Sequence, residues 1–81
     1  MKRIRLTQGM STIVDDLDWA ALVQHKWYAK RDGSRWYAER SIRRADGRRT
    51  TMRMHQAILG ATTDVDHRDG DGLNNRRSNL R

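Results

Sequence analysis

Residues 27–54, which read WYAKRDGSRWYAERSIRRADGRRTTMRM, decide the fold of this chain. Two Asp-Gly pairs, Asp32-Gly33 and Asp46-Gly47, divide the stretch into three segments, and aromatic residues stand on both sides of the first pair. Aromatic and β-branched residues favour strands, whereas Asp-Gly favours the tight turns between them. The stretch therefore predicts a three-stranded antiparallel sheet. Its expected strands are Trp27–Lys30, Trp36–Arg44 and Arg49–Met54.

The segments around this sheet complete a predicted α+β fold. Apolar spacing and turn residues indicate strands at 2–8 and 12–14, a helix over about 16–25, a short helix at 55–59 closed by Gly60, and a brief strand at 64–67 followed by a loop. Asp15 or Asp16 is placed to cap the first helix. A chain of 81 residues buries a small core, so we expect Trp19, Trp27 and Trp36 to supply much of its apolar area.

Charge is the first indication of function. The protein has 17 Lys and Arg against 10 Asp and Glu, a formal net charge of +7, and ten of the basic residues lie between Lys26 and Arg53. Most are arginine, whose planar guanidinium suits phosphates and guanine edges. A sheet this basic is typical of a surface that contacts nucleic acid, although edge strands also carry charge simply to prevent aggregation. We therefore expect DNA as the partner.

Composition excludes several other classes. The chain has no cysteine, which excludes disulfides and thiolate zinc sites. No apolar run approaches the roughly 18 residues of a membrane span, and the first residues lack the apolar stretch of a signal peptide. We expect a protein that acts in the cytoplasm.

The chemical signal lies in residues 65–81, which read VDHRDGDGLNNRRSNLR. An adjacent Asp66-His67 pair lets one carboxylate bind a hard cation while the imidazole faces a water beside it, an arrangement that suits metal-assisted hydrolysis. A dipeptide alone is weak evidence. The nearby Asp64, Asp69 and Asp71 do not follow the order of a calcium-binding loop, and Asp-Gly pairs are expected to form turns.

The residue types and their separations in 65–81 together resemble the HNH (His-Me finger) endonucleases of phages and mobile introns, which include homing endonucleases. The resemblance implies a ββα-metal hairpin that binds one Mg²⁺ or Mn²⁺ ion. It implies that Asp66 is a metal ligand and that His67 is the general base that deprotonates the attacking water. Asn79, twelve residues after His67, would brace the hairpin and help to orient the imidazole.

The resemblance is incomplete at its C-terminal end. The HNH pattern continues into a helix that supplies another metal ligand, whereas this sequence stops at Arg81. We expect a partial motif, truncated before that ligand. The chain would then consist of a DNA-binding portion, residues 1–60, with the three-stranded sheet and a helix, and an incomplete ββα-metal motif, residues 61–81. The resemblance also implies the cytoplasm of a bacterial cell, as a protein of phage or host.

Three functions follow from these observations. The chain is a divalent-metal DNA endonuclease, a catalytically incomplete DNA-binding module, or a regulator or inhibitor that contacts a partner protein through the same basic surface. A histidine at the start of a short helix, His55, either contacts phosphate or caps and packs the helix. The candidate DNA-binding residues are Arg40, Arg43, Arg44, Arg48, Arg49, Arg53, His55, Arg76, Arg77 and Arg81.

Overall fold

The structure, a computed structural model, describes residues 1–60 and 65–81. Within them, two three-stranded sheets and two α-helices confirm the predicted α+β class. The elements in chain order are β1 Lys2–Arg5, β2 Ser11–Val14, α1 Asp16–Leu22, β3 Tyr28–Asp32, β4 Arg35–Arg43, β5 Arg49–Arg53, α2 Met54–Leu59, β6 Asn74–Asn75 and a 3-10 turn at Arg77–Asn79.

The basic sheet has the predicted antiparallel order β3-β4-β5. Its first turn is tighter than expected, because Asp32 pairs with Arg35 and only Gly33 and Ser34 lie between the strands. Gly33 has a φ of 63°, which glycine adopts without the steric penalty that a side chain would bring. The two-residue turn extends β3 beyond its predicted end at Lys30.

The second sheet joins the two ends of the chain. β1 and β2 form the expected hairpin, but β1 ends at Arg5 rather than at residue 8, because the chain turns where Leu6 donates to the Met10 carbonyl at 2.9 Å. β6 then pairs in parallel with β2, with Ile13 opposite Asn74, which the sequence did not predict. The C-terminal residues are therefore built into the N-terminal sheet.

Both helices form, and one is shorter than predicted. α1 ends at Leu22 instead of near His25, because the Trp27 indole Nε1 donates to the Leu22 carbonyl at 2.8 Å and turns the chain into β3. Asp15 occupies the N-cap position without a side-chain capping bond. α2 ends as predicted at Gly60, which adopts the left-handed conformation with φ of 63°.

One hydrophobic core serves both predicted portions. Trp27 is 6% exposed and lies within it, and Trp19 packs against its edge. Trp36 is half-buried and is not part of this cluster; it is the second residue of β4, two residues after the Gly33-Ser34 turn. No helix in residues 1–60 or 65–81 is long and apolar enough to cross a membrane. The core residues are Ile4, Val14, Leu22, Trp27, Ala38, Met54, Ile58 and Leu80.

Candidate active site

Residues 65–81, the C-terminal loop, are closed at their base by backbone pairing. Asp66 and Arg81 exchange two hydrogen bonds of 2.8 and 3.0 Å, and His67 stands opposite Leu80 as an antiparallel bridge. The strand predicted at 64–67 is reduced here to this single bridge, and Asp64 lies outside the described residues. The pairing fixes His67 at the base of the loop.

The Asp69 carboxylate organises the inside of the loop. It accepts hydrogen bonds from the Asn74 side chain at 2.7 Å, the Asp71 backbone N–H at 2.8 Å and the Asn79 side chain at 2.9 Å. These donors, the Asn74 amide most of all, lower the pKa of Asp69 to about 2. Asp71 accepts from the backbone N–H of Leu73 at 3.0 Å. The acids therefore form turns, as their Asp-Gly context predicted.

Asn79 is buried and fixes the shape of the loop. Its Nδ2 donates to Asp69 and to the Asn74 carbonyl, both at 2.9 Å, and its Oδ1 accepts from the Asp69 backbone N–H at 3.1 Å. Among the described residues, no hydrogen bond joins the Asn79 side chain to the His67 imidazole. Any influence of Asn79 on that ring therefore passes through the loop backbone.

The His67 imidazole, 5% exposed, is held by a buried chain of hydrogen bonds that sequence reasoning missed. The Thr12 hydroxyl donates to the Leu73 carbonyl at 2.7 Å and accepts from Asn75 Nδ2 at 2.9 Å. Asn75 Oδ1 lies 2.9 Å from His67 Nε2. Because a backbone carbonyl can only accept, the Thr12 proton points to Leu73, and the amide group of Asn75 must face Thr12. Its carbonyl oxygen then faces His67, so Nε2 carries a proton.

The hydrogen bonds from Thr12 through Asn75 determine which nitrogen of the His67 imidazole can act as a base. In a neutral imidazole with the proton on Nε2, the lone pair that accepts a proton is on Nδ1. No residue in the described part of the chain forms a hydrogen bond with His67 Nδ1. The sequence did carry a signal for these hydrogen bonds. Thr12 and Val14 are alternate residues of β2 and therefore lie on the same face, and a threonine that is buried beside a valine needs a hydrogen-bond partner.

Two rings pack around His67. The His55 ring lies edge-to-face with it at a centroid distance of 4.7 Å, and the Tyr37 ring lies 5.9 Å from each histidine. Burial, then the charges of His67 and Arg53, lower the pKa of His55 to about 4. His55 is therefore inside the fold and uncharged at neutral pH. Of the two roles considered for it, contact with phosphate or packing of the helix, its contacts match packing.

Gly72 brings the C-terminal loop against the basic sheet. A Cβ atom added at this position would overlap the carbonyl oxygen of Trp36 and would lie 2.7 Å from Tyr37 Cδ1. Only glycine allows so close an approach of the two backbones. The sheet therefore supports the loop beside the two histidines.

Asp66 differs from His67 in its surroundings. Its side chain is 61% exposed, and the Arg81 guanidinium lies 3.5 Å from its Oδ2. Consecutive residues of an extended segment direct their side chains to opposite sides, which agrees with the exposed carboxylate and the buried imidazole. No group of three or more His, Asp or Glu side chains in residues 1–60 and 65–81 is arranged to hold a metal ion. The described residues therefore do not by themselves fit a divalent cation.

The candidate arginines of the sheet do not share one face. Residues that are paired across an antiparallel sheet lie on the same face, so Arg43, Arg49 and Arg53 lie on the face of Tyr37 and Glu39. Arg40 lies on the opposite face, 5.8 Å from the centroid of a buried tryptophan ring. Arg44 and Arg48 flank the turn between β4 and β5 and are exposed.

Two of the candidate DNA-binding arginines, Arg53 and Arg77, form ion pairs with acidic side chains of the same chain. Arg53 contacts Asp32 at 3.0 Å and Glu39 at 3.6 Å. Arg77 forms three hydrogen bonds of 2.8, 3.0 and 3.3 Å with the buried carboxylate of Asp18, and these bonds raise the pKa of the guanidinium. Their availability to DNA is correspondingly lower than that of Arg43, Arg44, Arg48 and Arg49.

The other two C-terminal arginines also have partners. Arg76 Nε donates to Asn74 Oδ1 at 3.0 Å, and Arg81 lies beside Asp66.

Comparisons with known proteins add no family, since no family model matches the chain and no curated protein or solved structure shows a significant similarity to it. A functional interpretation therefore depends on the loop residues and their geometry.

Proposed function

We propose that this protein is a DNA-binding domain of the HNH type that hydrolyses phosphodiester bonds, with His67 as the general base. The observation that carries the proposal is the hydrogen bond from His67 Nε2 to Asn75 Oδ1. A general base must present an unprotonated nitrogen in a fixed direction. The buried bond fixes the ring and leaves the Nδ1 lone pair without a hydrogen-bond partner among the described residues; because the imidazole is 5% exposed, the proposed hydrolysis requires that water and phosphate reach this nitrogen.

The positive surface supports DNA as the substrate. The exposed arginines around the β4–β5 turn, Arg43, Arg44, Arg48 and Arg49, carry charge that phosphates would neutralise. Contacts of this kind position a duplex without reading its sequence. We therefore expect binding that weakens strongly as salt concentration rises.

A divalent cation is part of the proposal, although the described residues provide an incomplete set of ligands for it. The resemblance to HNH endonucleases implies a divalent ion such as Mg²⁺ or Mn²⁺, which would supply electrostatic stabilisation of a reacting phosphate if it were bound. Asp66 is exposed and would supply one carboxylate ligand, but its side chain lies on the opposite side of the backbone from the His67 imidazole, so a cation at Asp66 would lie beside His67 only after this segment rearranges. Further ligands would have to come from outside residues 1–60 and 65–81, and the Arg81 contact would have to give way.

The test is nicking of supercoiled plasmid with Mg²⁺, with Mn²⁺ and with EDTA. We expect His67→Ala to lower the cleavage rate by about 10²- to 10⁴-fold, the usual contribution of a positioned base. DNA binding should be retained. The matched control is His25→Ala, which removes an exposed histidine three residues beyond the end of α1. Metal-independent cleavage by the wild type, or equal cleavage by the two histidine variants, would contradict the proposal.

Asn75→Leu tests whether Asn75 acts through His67. It should lower cleavage while leaving the affinity for DNA unchanged, because it removes the partner of Nε2 and touches no phosphate-binding arginine. Far-UV circular dichroism and the unfolding midpoint show whether the variant is folded. A parallel loss of binding and cleavage in a folded Asn75→Leu would assign Asn75 to the fold alone.

A second candidate function is favoured by the incomplete cation site. If Asp66 serves only to pair with Arg81, the chain is a non-catalytic DNA-binding module. It would then bind DNA in a salt-dependent way, would retain that binding after Asp66→Ala, and would cleave nothing with either metal. Co-purification with a protein instead of nucleic acid would favour the regulator or inhibitor.

A further inference from the structure

A cleft of about 570 Å³ lies between β1, the end of α1 and the start of β3. Its lining includes none of the loop residues that surround His67. Aromatic and aliphatic side chains form much of its wall, with Trp19 half-buried and Val23 exposed. The cleft is therefore a concave surface separate from the candidate active site.

Positive charge surrounds this cleft. Arg3, Arg5 and Lys26 line it and are exposed, and none of the described residues that line it is acidic. Arg3 and Arg5 are alternate residues of β1, so their side chains project to the same face. β1 is the edge of its sheet. A neighbouring cavity of about 350 Å³ shares Arg3, Arg5 and Leu6 and continues the groove towards the β1–β2 turn.

The chemistry of the groove selects its ligand. Lys2 Nζ lies 4.8 Å from the centroid of the Trp19 ring, so a base that stacked there would take the place of this cation. An aromatic ring among cations matches a nucleobase attached to phosphates, since every base can stack on an aromatic ring and every phosphate can pair with arginine. An apolar peptide would cover Trp19 and leave the cations without partners. Paired DNA would reach the arginines and leave the ring unused, because its bases are stacked within the duplex.

We propose that this groove binds single-stranded DNA, with an unpaired base against Trp19 and the adjoining phosphates at Arg3 and Arg5. The site is independent of His67 and Asp66 and does not require hydrolysis. It would let the protein hold a displaced or unpaired strand while the arginines of the β4–β5 turn contact a duplex.

The experiment measures the fluorescence anisotropy of labelled oligothymidylate in EDTA, so that no cleavage enters the result. A strand of equal length with abasic sugars keeps the phosphates and removes the bases. Wild-type protein should bind the abasic strand roughly 5- to 150-fold more weakly, as expected for the stacking of one base. Trp19→Leu should bind both strands with the same affinity.

Matched controls separate the groove from the rest of the chain. Trp36→Leu changes another half-buried tryptophan outside the cleft, and it should retain the preference for bases. If Trp19→Leu does not fold, the exposed pair Arg3→Gln and Arg5→Gln tests the phosphate contacts against Arg48→Gln. Equal wild-type affinity for the two strands, or equal effects of the groove variants and their controls, overturns the proposal. A dimer that dissociates on Trp19→Leu would assign the groove to a second copy and overturn it as well.

Discussion

Replacing Thr12 by valine tests whether the buried chain of hydrogen bonds holds the C-terminal loop. The change keeps the shape of the side chain and removes its hydroxyl, which donates to the Leu73 carbonyl and accepts from Asn75 Nδ2. Leu73 retains a bond from the Ile13 N–H at 2.9 Å, whereas Asn75 Nδ2 has no other partner among the described residues. One fully buried donor is thus left unpaired, which costs about 1–3 kcal/mol. That is a large share of the roughly 4–12 kcal/mol expected for a chain of this length.

The assay is urea unfolding followed by tryptophan fluorescence. The matched control is Thr51→Val in β5, where the threonine is exposed and the same substitution should change stability by no more than about 0.5 kcal/mol. We expect a lower unfolding midpoint for Thr12→Val with an unchanged slope, since the change does not alter how much surface unfolding exposes. Equal midpoints for the two variants would refute the reasoning.

Three further predictions concern single residues. Burial lowers the pKa of His55 from 6.5 to about 4, so the unfolded chain binds more protons than the folded chain between these pH values, and the free energy of unfolding falls by up to about 3 kcal/mol as pH decreases through that window. His55→Leu should flatten the pH dependence of the urea midpoint between pH 7 and pH 4, and an unchanged slope would contradict this prediction. Gly72→Ala should lower stability by about 1–3 kcal/mol, because its Cβ overlaps the Trp36 carbonyl oxygen; a melting temperature equal to that of the wild type would show that the loop shifts freely. Arg77→Leu leaves the buried Asp18 carboxylate without its ion-pair partner and should lower the melting temperature by several degrees. Adding Asp18→Asn to this variant should partly restore the melting temperature, and a double variant with no such gain would contradict the role of the ion pair.

Short-range chemistry allowed most of the secondary structure to be predicted. Asp46-Gly47 marks a turn and Gly60 marks the end of a helix, as their own backbone preferences determine, and both occur as expected. The end of α1 was placed too late, because an indole from outside the helix, Trp27, binds its last carbonyl group. Periodicity within a segment carries no information about such a contact.

The candidate site was only partly predictable for the same reason. The position of His67 followed from local spacing, but its partner Asn75 depends on Thr12, 63 residues away in sequence. β6 has two residues, both asparagine, and so gives no apolar pattern that would indicate a strand. Arg77 was predicted to contact DNA from its charge alone. Its partner Asp18 is 59 residues away in sequence, so local spacing could not indicate the ion pair.

The parallel pairing of β2 with β6 has a consequence for how the chain folds during synthesis. Ile13 is translated 61 residues before its partner Asn74. Until Asn74 and Asn75 are available, one edge of the nascent β2 remains open, and the hydrogen bonds from Thr12 through Asn75 to the His67 imidazole cannot form. Contacts so distant in sequence slow folding and expose strand edges to other chains. We therefore expect substitutions that prevent the pairing of β2 with β6 to increase aggregation during expression more than substitutions within the β3-β4-β5 sheet do.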